Sequence, residues 1–124
     1  MNKSKNINLK KSKGPLTVEI RGEKAIAGVF SFAIESESGY LGLFDGKFGD
    51  SLADIFIIPV KIEDLENHDL YMTGNFTASN PTSNNIAFVL NFYQGGELVD
   101  SDKLQETATG ALHVLYTISF KVKD

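Results

Sequence analysis

The sequence lacks cysteine altogether, so disulfides, thiolate metal ligands and cysteine nucleophiles are all excluded. Long hydrophobic runs are missing too, and the longest, Ile55 to Val60, is far too short to span a membrane. No apolar stretch follows the lysine-rich start of the chain, which argues against a secretory signal peptide. We therefore expect a cytoplasmic protein without a membrane span, and a component of a virus particle is compatible with the same absences.

Acidic residues are absent from the first 14 residues, which contain five lysines. Residues 15–124 hold seven basic and sixteen acidic side chains, a net charge of −9. The charge pattern predicts a basic N-terminal arm (residues 1–14) attached to an acidic body (residues 15–124). The arm has three interpretations: a solvated tail, a segment that docks on an acidic face of a sister subunit, or a segment that binds a polyanion or membrane surface. The acidity of the body argues against nucleic-acid binding.

Large apolar residues recur at every second position through most of the body. The clearest runs are 16–21, 26–34, 70–78, 86–92 and 112–122. A helix would need apolar residues three and four positions apart, whereas a spacing of two places them on one face of a strand. Residues 15–124 are therefore predicted to form a single-domain, all-β, antiparallel β-sandwich of about seven or eight strands, jelly-roll or Greek-key-like, with a closed barrel as the alternative.

Two glycines at positions 95 and 96 predict a tight hairpin, since both can adopt positive φ. This hairpin would pair Phe92 with Val99 on one face and Tyr93 with Leu98 on the other.

The segment 54–62 departs from this alternation, because Ile55 to Ile58 give it apolar residues on both faces. Pro59 has no amide hydrogen and belongs on an edge strand or at a bulge. An exposed edge strand with two apolar faces tends to pair with another chain. We therefore predict a homo-oligomer interface at Ile55, Ile57 and Pro59; the alternative is a strand buried under the 36–52 loop.

A glycine-rich stretch, Gly39 to Asp50, contains three aromatic residues and two aspartates. It is predicted to be mainly loop, with a short strand near Leu41 to Phe44. Exposed aromatic rings beside carboxylates can hold sugars, because the ring packs on apolar C–H faces while the carboxylate accepts hydroxyl hydrogen bonds. A glycan or small-ligand site is therefore predicted at Tyr40, Phe44, Asp45 and Asp50, with Asn80 to Asn85 as a neighbouring loop. The alternative is that the aromatic residues cap the core.

The two histidines, His68 and His113, show no spacing typical of metal ligands or of a catalytic pair. No catalytic residue, metal or cofactor is expected. The function that the sequence favours is a non-enzymatic structural or interaction module that self-associates through an apolar strand edge. A carbohydrate or small-ligand binding, lectin-like module is the alternative, and a hydrolase would need a histidine to converge with carboxylates.

Overall fold

The computed structural model shows nine strands arranged in two sheets. It describes residues 1–23, 26–36, 39–49, 53–78 and 85–124. The strands are β1 (Asn2–Lys10), β2 (Leu16–Glu23), β3 (Ile26–Ser36), β4 (Gly39–Phe48), β5 (Ala53–Ile57), β6 (Leu70–Ala78), β7 (Asn85–Gln94), β8 (Glu97–Thr107) and β9 (Leu112–Lys123). A 3-10 turn (Lys11–Lys13) joins β1 to β2, and a single helical turn, α1 (Ile62–Leu65), precedes β6. Within these described ranges, no helix has the length and hydrophobicity needed to cross a membrane.

The five-stranded sheet has the order β1-β9-β6-β3-β4, and the four-stranded sheet has the order β5-β2-β7-β8. Neighbouring strands are antiparallel with one exception, β1 and β9, which run parallel. The predicted all-β sandwich is confirmed, and its described strands form two separate sheets rather than a barrel. The two strands that the sequence did not resolve are β1 and a full-length β4.

Alternation of side chains builds the core between the sheets. In β9, every second residue from Leu112 to Val122 is buried and those between them are exposed or half-buried. The glycine pair closes the β7–β8 hairpin with φ of 56° at Gly95 and 79° at Gly96, and Tyr93 pairs with Leu98 as predicted. A bulge after Phe92 pairs that residue with Asp100, so the predicted partner Val99 was wrong by one position.

The lysine-rich segment is part of the sandwich. Asn2–Lys10 pairs along its whole length with β9, and Ile7 and Leu9 are fully buried in the core. Burial of these two apolar side chains explains why the segment folds onto the body instead of extending into solvent. Asn2–Lys10 is therefore a strand of the five-stranded sheet. Charge alone had predicted a separate basic arm, residues 1–14.

The two open sides of the sandwich are closed by different chemistry. On one side β4 lies over β5, and the Phe44 and Phe56 rings stack with centroids 4.3 Å apart and planes 7° apart. On the other side β1 lies over β8, and lysines of β1 meet aspartates of β8. We call the second arrangement the charged seam; it consists of Lys3, Lys5, Asp100 and Asp102.

Candidate functional site

Strand β5 is the edge of the four-stranded sheet and presents isoleucine to solvent. Ile55 is 63% exposed and Ile57 is 62% exposed, while Phe56 between them points inward against Phe44 and Phe32. Pro59 is exposed just beyond the strand, and Ile58 is fully buried. Ile55 and Ile57 thus lie at the surface on the edge strand that their sequence pattern indicated, and Pro59 is exposed two residues beyond the end of that strand.

The register of the sheet extends this apolar surface away from β5. Ile57 lies opposite Thr17 of β2, Thr17 lies opposite Tyr93 of β7, and Tyr93 lies opposite Leu98 of β8. Leu98 is also largely exposed. We call this surface the β5 face and define it as Thr17, Ile55, Ile57, Tyr93 and Leu98.

A hydrogen-bonded carboxylate, Glu19, lies beside the β5 face. Its oxygens accept hydrogen bonds from the Asn91 amide at 2.8 Å, the Arg21 guanidinium at 3.1 Å and the Tyr93 hydroxyl at 3.3 Å. The Asn91 bond is the largest cause that lowers the pKa of Glu19 from its ordinary value; Arg21 and Tyr93 add to it, and partial burial opposes it. These bonds fix the orientation of Tyr93 on the β5 face.

We expect the Glu19→Gln variant to lose about 1 kcal/mol of unfolding free energy at neutral pH, because its neutral amide accepts weaker hydrogen bonds. The lowered pKa means that the ionised carboxylate stabilises the fold above the ordinary pKa and loses this effect as pH falls through the lowered value. Denaturant unfolding at a series of pH values should therefore show the wild type and the variant converging in acid. Glu106→Gln, on the exposed part of β8, is the matched control. A difference that persists unchanged at acid pH would contradict this account.

The predicted sugar-binding residues do not form a loop, because Gly39–Phe48 is the edge strand β4. Tyr40 and Asp45 lie on the outer face of the five-stranded sheet, opposite Glu35 and Ser31 of β3. Phe44 lies opposite the buried Phe32 and points into the sandwich, so it belongs to the core and not to a site shared with Tyr40. Asp50 lies outside the described residues, as do residues 80–84 of the proposed neighbouring loop, while Asn85 begins β7.

A cleft on this outer face brings Tyr40 to a residue that the sequence did not single out as a ligand contact. The Tyr40 ring, 71% exposed, meets the Tyr71 ring of β6 edge to face, with centroids 5.2 Å apart. We call this site the tyrosine cleft, a cavity of about 220 Å³ lined by Ala33, Tyr40, Tyr71, Thr73 and Leu115. Tyr71 was visible in the sequence only as an outward-facing residue of its strand.

Hydrogen bonding fixes one wall of the tyrosine cleft. The Tyr71 hydroxyl donates to the Glu35 carboxylate at 3.1 Å. Desolvation, followed by the negative charge and hydrogen bond of Glu35, raises the pKa of Tyr71 to about 12. A second cavity of about 280 Å³ lies along the same face and includes Ser31, Thr73, Asn75 and His113 in its lining. The face therefore combines the largely exposed Tyr40 ring with hydroxyl, amide and carboxylate groups.

The two histidines lie apart and have polar, uncharged neighbours. The His68 ring contacts the Asp64 carbonyl oxygen at 2.6 Å, and the His113 ring lies against the Asn75 side-chain oxygen. In the described ranges, no group of three or more histidine, aspartate or glutamate side chains is placed to hold a metal ion. The recorded contacts of both histidine rings are to uncharged oxygen atoms, so these contacts do not support the hydrolase hypothesis.

Comparison with known proteins gives a weak structural likeness. No family model matches the chain, and no curated protein matches it. One similar solved structure is the crystal structure of a domain of unknown function from Bacteroides vulgatus, at 11% identity and a TM-score of 0.42. The match covers 84% of this chain and 92% of that domain. At this level the likeness carries no argument about family or activity, so function has to be inferred from this chain's own surfaces.

Proposed function

We propose that the protein is a non-enzymatic interaction module that forms a homo-oligomer through the β5 face. The observation that supports this most directly is the exposure of Ile55 and Ile57, 63% and 62%, side by side on an edge strand. Edge strands offer a row of backbone hydrogen-bonding groups, and natural proteins usually protect them with charge, proline or covering segments. In the proposed oligomer, a second copy of the chain would cover the edge of β5.

A second copy fits this edge because antiparallel pairing of β5 with itself is self-complementary. A twofold axis at Phe56 would set Ile55 of each copy opposite Ile57 of the other. Such cross-strand pairs of β-branched residues stabilise a sheet. The four-stranded sheets of two copies would then join into one continuous sheet.

The charges beside the β5 face are compatible with this symmetric contact. Glu19 lies opposite Ile55, and its carboxylate is bound by the Arg21 guanidinium at 3.1 Å. Because each copy neutralises this pair internally, two copies can approach without like-charge repulsion. The apolar row from Ile57 to Leu98 then adds contact area behind the paired edges.

The Ile55→Lys/Ile57→Lys variant should dissociate at protein concentrations where the wild type remains associated through the β5 face. Two charges at the pairing edge should raise the dissociation constant about thirtyfold or more, as expected for the loss of an interface hot spot. Size-exclusion chromatography with light scattering over a wide concentration range measures this. Leu41→Lys is the matched control, because Leu41 is 57% exposed on the other sheet's edge strand. A wild type that stays strictly monomeric at high concentration would exclude the proposal.

A second candidate function is the binding of a glycan or small ligand in the tyrosine cleft. It is favoured by the high exposure of Tyr40 beside Ala33 and Thr73 and by the hydroxyl and carboxylate groups nearby. A pyranose ring stacks on an aromatic face while its hydroxyls bind such polar groups. The candidate site is therefore the sheet face around Tyr40 and Tyr71 rather than a loop.

For this second function, the Tyr40→Ala variant should lose binding by tenfold or more, as removal of a stacked ring typically costs about 1–3 kcal/mol. A glycan array provides the probes, and nuclear magnetic resonance titration with any positive glycan locates the contact. Leu98→Ala, on the opposite sheet, is the control and should bind as the wild type does. An array without signal, or binding unaffected by Tyr40→Ala, would exclude the cleft as a glycan site.

A further inference from the structure

We propose that β1 is an exchangeable strand: two copies of the chain swap Asn2–Lys10, and each strand fills the position that the other occupied. The contact is separate from the β5 face, because β1 and β5 lie at opposite open sides of the sandwich. The partner is a second copy of this chain, since the receiving position is one that the chain's own β1 already fits.

The main contacts of the position that receives β1 come from β9 and β8, the last two strands of the described chain. β1 pairs in parallel with β9, from Asn2 opposite Leu115 to Lys10 opposite Lys123. Its apolar residues, Ile7 and Leu9, complete the core next to Phe120 and Val122, which are their register partners. None of these contacts depends on the β1–β2 connection, so the same contacts can form with a strand from another copy.

Charge complementarity specifies which strand fits. The Lys3 ammonium lies 3.2 Å from Asp102, and the Lys5 ammonium lies 3.2 Å from Asp100. These lysines face the inside of the sandwich, in line with Ile7 and Leu9, and reach across to the other sheet. The basic strand β1 thus contacts the acidic strand β8. Every copy of the chain contains both strands, so β1 of one copy can pair with β8 of another.

The connection between β1 and β2 is a short hinge, residues 11–15. It contains the 3-10 turn, Gly14 with a φ of +87°, and Pro15. Five residues span at most about 17 Å when extended, and short hinge loops of this kind favour strand exchange because the folded turn is relieved when it straightens.

One buried side chain, Gln94, holds the hinge in its folded form. Its amide nitrogen donates to the carbonyl oxygens of Lys10 at 3.0 Å and Gly14 at 2.9 Å, and its oxygen accepts from the Lys10 amide at 3.0 Å. A cavity of about 160 Å³ beside it is lined in part by Lys10, Lys13 and Leu98, so the hinge is loosely packed on that side. These hydrogen bonds, together with the exposed ion pair of Lys13 and Glu97 at 3.5 Å, form a clamp between the hinge and the β7–β8 hairpin.

The exchanged and unexchanged forms contain the same strand contacts, so they differ mainly in the hinge and in the entropy of association. The proportion of exchanged chains should therefore rise with protein concentration. Mild denaturant should speed the approach to equilibrium, because β1 must leave one position before it occupies another.

Engineered disulfides test the exchange directly, since the chain has no native cysteine. Ser4 of β1 lies opposite Thr117 of β9, and adjacent strands are about 4.8 Å apart, within the range of a disulfide. Chains carrying Ser4→Cys are mixed with chains carrying Thr117→Cys, held in mild denaturant, returned to native buffer and oxidised. All chains also carry Ile55→Lys/Ile57→Lys, so that association through the β5 face does not contribute.

Exchange predicts a disulfide-linked heterodimer on a non-reducing gel. Strand exchange holds the two thiols next to each other, at an effective concentration near the millimolar range. We therefore expect roughly tenfold more heterodimer than from the control mixture. That control mixes Ser31→Cys with Thr73→Cys chains, which are register partners in strands that do not exchange. Adding Gln94→Ala, which removes the hydrogen bonds of the clamp, should increase the heterodimer further.

A second measurement makes a negative result decisive. The Ser4→Cys/Thr117→Cys variant carries both cysteines in one chain and should form its disulfide readily, because the two positions are in register. Efficient closure within this chain, combined with no more heterodimer from the mixed chains than from the control, would overturn the exchange proposal. That outcome would leave the β5 proposal intact, because the β5 proposal is tested by the oligomeric state of the chain without these changes.

Discussion

Gly28→Ala is expected to destabilise the protein by roughly 3 kcal/mol or more, a large part of the total unfolding free energy of an ordinary domain. Gly28 in β3 has a φ of +153°, a conformation that residues with a side chain rarely adopt. A Cβ at this position would collide with the Asn75 carbonyl oxygen of β6 and lie 2.9 Å from the Phe76 Cα atom. The obstacle is backbone of a paired strand, so it cannot be relieved by turning a side chain.

Denaturant or thermal unfolding of the variant measures this cost. Gly42→Ala, on the adjacent strand β4, is the matched control, because a Cβ there has no atom within 4 Å. The control should stay within about 1 kcal/mol of the wild type. Equal stability of the two variants would show that the β3–β6 backbones are not as close as the structure places them.

The strands that the sequence predicted most clearly, β2, β3, β6, β7 and β9, have apolar residues or glycine at nearly all of their inward positions. β9 is the clearest, with Leu112, Val114 and Tyr116 leading a run of buried residues at a spacing of two. A strand with this pattern can be predicted without knowing its neighbours, because its apolar face is buried at any position in the sheet. The same reasoning located β5 as an edge, since Pro59 follows it and both faces are apolar.

β4 was not predicted in full because a bulge interrupts its period. The β3–β4 register shifts between Phe32 and Ala33, so that the residues opposite Ile34 and Phe32, Leu41 and Phe44, are three positions apart instead of two. A bulge reverses the parity of every later side chain, and a simple alternation test then fails. The four glycines in 39–50 strengthened the appearance of a loop. As a result Phe44 was assigned to a ligand site, although it packs on Phe56 in the core.

β1 was missed for a different reason, since half of its inward positions are charged. Lys3 and Lys5 share a face with Ile7 and Leu9, and the lysines are tolerated there because the aspartates of β8 face them across the open side. Sequence showed a basic segment and an acidic body, but only the strand order brings β1 over β8. The tyrosine cleft was missed likewise, because Tyr40 and Tyr71 become neighbours only once β3 separates their strands.

The charged seam borders a buried polar group, the hydroxyl of Tyr116. Tyr116 is fully buried, and its hydroxyl donates to the Asp102 carboxylate at 2.5 Å, while the other Asp102 oxygen binds Lys3. Burial and then the hydrogen bond to Asp102 raise the pKa of Tyr116 well above its ordinary value. Asp102 thus serves two groups at once, which makes it the residue of the seam whose loss should matter most.

We expect Asp102→Ala to lower the unfolding free energy by about 3 kcal/mol, because it leaves a buried hydroxyl without its acceptor and a half-buried ammonium without its partner. Tyr116→Phe should cost only about 1 kcal/mol, since it removes the donor while Asp102 keeps its bond to Lys3. The Asp102→Ala/Tyr116→Phe double variant should therefore be more stable than the sum of the two single effects indicates, by about 1 kcal/mol. Chemical denaturation of the four proteins completes this cycle.

Asp100→Ala is the matched control for the ion-pair part of the effect. Asp100 pairs with Lys5 at the same distance of 3.2 Å but is more exposed than Asp102, so its removal should cost at most about 1 kcal/mol. In the described structure, the Tyr116 hydroxyl donates to Asp102 and not to Asp100. The difference between the two losses of unfolding free energy therefore measures the contribution of this hydrogen bond. If Asp102→Ala costs no more than Asp100→Ala, the seam stabilises the fold only through screened surface charge. Added salt would then remove its contribution, whereas a hydrogen bond to buried Tyr116 should persist in salt because it is shielded from solvent ions.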